Sequence, residues 1–87
     1  MLYRKAFKFP DGTPEESVFV AAVREALGRP VKHEELAGAL STPQGELVEY
    51  EILEGLVYVY LASSTLKGLR AVVCDVLESM GGIPDQT

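Results

Sequence analysis

The sequence predicts an α+β domain of order β-α-β-β-α, a small three-stranded sheet with two helices packed on one face. Two apolar runs, Leu47–Leu53 and 56–62, keep apolar residues at every second position. They use β-branched and aromatic types, Val48, Tyr50 and Ile52, then Val57, Tyr58, Val59 and Tyr60, which is the composition of strands. Glu54-Gly55 between them is a two-residue hairpin link. After Ser63 the period changes: Leu66, Leu69, Val73, Val76, Leu77 and Met80 fall three or four apart and share a helical face over 65–80.

In chain order, 2–9 reads as a short strand. Tyr3, Phe7 and Phe9 fall on one side and Arg4, Ala6 and Lys8 on the other, with Lys5 the exception. Pro10-Asp11-Gly12 is turn chemistry. Thr13 then stands as an N-cap, Pro14 at the first helical position and Glu16 at the capping-box position. Phe19, Ala22, Val23, Ala26 and Leu27 form one stripe, and Gly28 and Pro30 stop the helix. Residues 33–40 suggest two helical turns with Leu36, Ala39 and Leu40 clustered, although Gly38 weakens a helix there. Residues 41–45 are loop by composition. Ser64 caps the second helix, Gly81-Gly82 ends it, and 82–87 is a frayed tail. A right-handed crossover carries the first strand through the first helix to the second, and the hairpin adds the third.

At 87 residues the chain makes one domain, 1–87. A domain of this size buries only about 60–65% of its unfolded surface, so a partner that covers more would stabilise it. With 47% hydrophobic residues it is too apolar for disorder. No apolar run approaches a membrane span, and Arg4 and Lys5 before a broken apolar segment do not read as a signal peptide. A cytoplasmic location is expected, which the single Cys74 fits. The net charge of −5 argues against direct nucleic-acid binding as the main role, because phosphate neutralisation needs clustered Lys and Arg. Arg4, Lys5 and Lys8 are the one small basic stripe.

No catalytic, metal or cofactor constellation is found. His33-Glu34 begins like a zinc-protease motif, but Ala37 stands where the second His is needed. Ser64-Thr65-Leu66-Lys67 has Ser-x-x-Lys spacing without the companion motifs. Cys74 has no base beside it in sequence and reads as buried. The acidic series Glu46, Glu49, Glu51 and Glu54 reads as a solvated strand edge, where charge blocks unwanted pairing.

Two features point to protein partners. Val57, Val59 and Leu61 oppose Tyr58 and Tyr60, so the third strand has no polar face and a dimer through Val57, Val59 and Leu61 is expected. The partner there is a second copy or a paralogous chain. Apolar residues also run around much of the first helix, which offers Val18, Val20, Val23 and Leu27 to a docking protein.

A strand ending Leu53-Glu54-Gly55, an apolar strand ending Ala62-Ser63, and a helix carrying Leu69-Arg70-Ala71 resemble one known family. That family is the small dimerisation subunit of the KEOPS complex, with the CTAG/LAGE-type domain. The Phe9-Pro10 step and the element order are similar as well. The resemblance implies a non-catalytic subunit that dimerises through its sheet. Its helices would dock the catalytic subunit that makes threonylcarbamoyladenosine in tRNA. The family's Leu-Arg step falls on Leu69 and Arg70 and its later position on Leu77, with Val73 between them. Cys74-Asp75 and Glu78 depart from the family's Asn-Ser and later Arg, which fits a diverged paralogue with tRNA contact at most indirect. A free-standing dimeric ligand-sensing domain and a KH-like RNA-binding module are the alternatives, the latter lacking the Gly-x-x-Gly loop.

Overall fold

The computed structural model describes residues 3–61 and 67–85. The α+β class holds, but the sheet has six strands, all antiparallel to their neighbours, where three were expected. The elements are β1 (Tyr3–Lys8), α1 (Glu16–Leu27), β2 (Lys32–Glu34), β3 (Ala39–Ser41), β4 (Leu47–Leu53), β5 (Leu56–Leu61), α2 (Leu69–Ser79) and β6 (Ile83–Asp85). Across the sheet the order is β2-β3-β4-β5-β1-β6. The β4-β5 hairpin forms about Glu54-Gly55 as predicted, with Leu53 opposite Leu56 and Glu49 opposite Tyr60. β1 lies on the far side of β5, with Phe7 opposite Val57 and Arg4 opposite Tyr60.

The pairing registers fix which side chains share a face, because direct partners point the same way and successive residues alternate. Phe7, Val57, Val59, Tyr50, Val48 and Leu40 fall on one side. They form a single core with Phe19, Val20 and Val23 of α1 and Leu69, Val73 and Leu77 of α2. Both helices therefore cover the same face.

Three expected local structures differ. Segment 30–45 forms the β2-β3 hairpin, not helical turns. Leu36 at its tip stands in solvent, while Leu40 is buried. Gly38 decides this: its φ is +60°, its carbonyl accepts the Tyr50 N–H at 2.8 Å, and a Cβ there would lie 2.6 Å from the Tyr50 carbonyl oxygen. Gly38→Ala is thus expected to destabilise the domain by about 1–3 kcal/mol, measured by urea unfolding.

The first helix begins at Glu16 with Glu15 at its N-cap, not Thr13, and no side chain caps it. The Glu16 carboxylate is held instead by the Tyr50 hydroxyl, a tertiary partner that displaces the capping box. Its C-terminus is as expected, Gly28 being left-handed with its N–H returning to the Arg24 carbonyl. The second helix begins at Leu69, later than 65; Ser64, its expected cap, and Leu66 lie outside the described residues. The supposed tail is also structured, since Ile83–Asp85 pairs with β1.

Candidate functional site

Covering one face of the sheet leaves the other uncovered by either helix. From β4 to β1 it carries three columns in register. Glu49 and Glu51 stand on β4, Tyr60 and Tyr58 on β5, and Arg4 and Ala6 on β1, with Leu53, Leu56 and Lys8 as the next row. Neighbouring columns are about 4.8 Å apart. The Arg4 guanidinium lies 4.5 Å from the centre of the Tyr58 ring, a cation-π contact. Tyr58 and Tyr60 are half-buried, while Leu47, Leu53 and Ile83 at the margins are exposed. The face is an aromatic strip between an acidic and a basic column.

Two polar clusters lie on the helix-covered side. In the first, Tyr50 donates its only proton to Glu16, so the 2.7 Å bond between His33 and Tyr50 runs from Nε2–H to the phenol oxygen. His33 Nε2 is also 3.4 Å from the Glu16 carboxylate. Phe19 meets the Tyr50 ring edge-on at 5.3 Å. Burial, and after it the Glu16 carboxylate, push the Tyr50 phenol up, so it stays a donor. The cluster fastens the start of α1 to β2 and β4.

In the second cluster the Glu46 carboxylate accepts from Arg29 at 2.7 Å, from the Thr42 hydroxyl at 2.9 Å and from the Leu69 backbone N–H at 2.7 Å. The Arg29 hydrogen bond, then those from Leu69 and Thr42, hold Glu46 down at about 2. A carboxylate from the turn before β4 thus caps α2, supplying what the Gly68 N-cap lacks. Among the described residues no three His, Cys, Asp or Glu side chains are placed to hold a metal ion. Cys74 is buried against the sheet, and burial pushes its thiol up.

The predicted site residues do not form one surface. Val57, Val59 and Leu61, expected at a dimer interface, are buried in the chain's own core; the helices took the aliphatic side of β5 and left the tyrosines outward. Val20, Val23, Leu69, Val73 and Leu77, expected to dock a partner, are buried in the same core and join α1 to α2. Leu27 packs on its margin. Of the docking set, Val18 is exposed and Arg70 half-exposed.

Sequence reasoning missed both polar clusters. His33 stands out in the sequence only as the start of an incomplete zinc motif and Glu46 only as one more edge carboxylate, and only the fold brings Tyr50 to one and Leu69 to the other. The architecture defines a class, a two-layer α+β domain with one helix-covered and one open sheet face. No protein-family model, curated protein or solved structure matches the chain.

Proposed function

We propose that this chain acts by assembly and not by catalysis, as a scaffold subunit that pairs with a second copy through its open sheet face. The observation that carries this reading is the three-column pattern. A two-fold axis lying in the interface and parallel to β5 exchanges left and right. It sets the basic column of one copy over the acidic column of the other, with the tyrosine strip facing its own image. Arg4 then meets the partner's Glu49, and two sheets about 10 Å apart form a sandwich. The two-fold axis across the strands would set acid on acid, so the pattern also selects the orientation.

The resemblance extends this to a scaffold in the tRNA threonylcarbamoyladenosine complex. The uncovered part of α1 around Val18, together with Arg70 of α2, would then be the docking surface for the catalytic subunit. Sedimentation at tens to hundreds of micromolar tests the pairing. Arg4→Glu and Glu49→Arg are each expected to weaken the dimer about tenfold or more, and the double variant to restore it. A wild type that stays monomeric, or a double variant no better than the singles, overturns the pairing. Affinity purification tests the complex. Recovery of the catalytic ATP-binding subunit with its kinase partner supports that extension, and recovery of the chain alone discards it.

A further inference from the structure

Strand β4 outruns its neighbour. β3 pairs with Leu47, Val48 and Glu49, the Gly38 carbonyl takes the Tyr50 N–H, and the chain then turns back toward β2. β4 continues to Leu53. Backbone direction alternates along a strand, so the main-chain groups of Ile52 point the same way as those of Tyr50, away from β5. Among the described residues nothing pairs with them. They open into a cleft of about 420 Å³ at the notch, with Leu36 exposed on its lip.

The charge around the notch has one sign on both faces of the sheet. Glu49 and Glu51 stand on the open side, Glu16 on the helix side and Glu35 at the closed end, all lining the same cleft. An extended chain laid along Ile52 would present alternate side chains to these two faces. Acidic residues on a free edge discourage neutral and acidic strands; a basic strand is the one they attract. The Glu35–Gly38 turn closes one end, so only a short segment fits. We propose that the β4 edge at Ile52 receives a short Lys- or Arg-rich extended segment of a partner protein by strand addition. The cleft shares Glu49 and Glu51 with the dimer face proposed above, so a monomeric Arg4→Glu variant, which leaves both carboxylates free, should bind at least as well as wild type.

The test uses the isotope-labelled full chain and a blocked Val-Lys-Lys-Lys-Val peptide. In the free protein the Ile52 amide should exchange with solvent faster than that of Tyr50, and peptide should slow it about tenfold or more. Three controls should each bind about tenfold more weakly: the same peptide methylated on every backbone nitrogen, a Val-Glu-Glu-Glu-Val peptide, and the lysine peptide against Glu35→Lys. Unchanged Ile52 exchange at millimolar peptide overturns the proposal. So does binding indifferent to backbone methylation, which would mark mere charge attraction.

Discussion

Val20→Asp is expected to abolish the cooperative thermal transition at neutral pH, read by circular dichroism. Val20 is 2% exposed and packed in the core that joins both helices to the sheet. Arg24 and His33 line a pocket beside Val20, but a carboxylate at this position is taken out of water among the core side chains, and burying a charge costs several kcal/mol. A domain of this length has only about 4–13 kcal/mol of stability in all. Val18→Asp, two residues away on the outer side of the helix and 51% exposed, should leave stability within about 0.5 kcal/mol of wild type. The pair separates two roles for α1. A folded Val20→Asp protein that had merely lost a partner would return Val20 to the docking surface. A folded Val18→Asp protein that lost one would locate docking on the outer side of the helix.

What was legible in the sequence was what local periodicity encodes. The β4-β5 hairpin needs only two adjacent alternating runs and a short link, and the α2 stripe only a repeat of three and four. The strands of three residues were not legible, because Lys32–Glu34 and Ala39–Ser41 are too short to establish a period. Gly38, which looked like a flaw in a helix, is the residue that permits the turn. β6 was hidden by Pro84, which lacks an N–H and is tolerated because the strand sits at the sheet's edge.

The direction in which β5 faces was the larger error. With Val57, Val59 and Leu61 on one side and Tyr58 and Tyr60 on the other, both sides are apolar enough to cover. The helices took the branched aliphatic side, which packs without a polar atom to satisfy, and left the tyrosines, each with a hydroxyl to satisfy, half-buried on the uncovered side. Lys5, the exception in the first strand, lies on the covered side with its ammonium 5.7 Å from the Phe7 ring centre; its long stem lets it sit at that margin.

Glu46→Gln should lower stability by about 1.5–2 kcal/mol at pH 7, a fall in Tm of roughly 10 °C for a domain of this size. The amide keeps the shape but loses the charge that receives Arg29 and the first N–H of α2. The sign of the pH dependence makes the test specific. Glu46 is held at about 2 in the folded chain against an ordinary 4.5, so its contribution is complete above about 4.5 and is lost as pH falls from there through about 2. Wild type and variant should therefore differ fully at pH 7 and converge by pH 2 in thermal scans. A gap that stayed constant across that range would mean the substitution acts through packing, and that the carboxylate does not hold α2 to the turn before β4. Convergence would show that one charge joins three segments far apart in the chain, Arg29 after α1, Thr42 after β3 and Leu69 at the start of α2. It would also explain why α2 starts at Leu69 without a cap of its own.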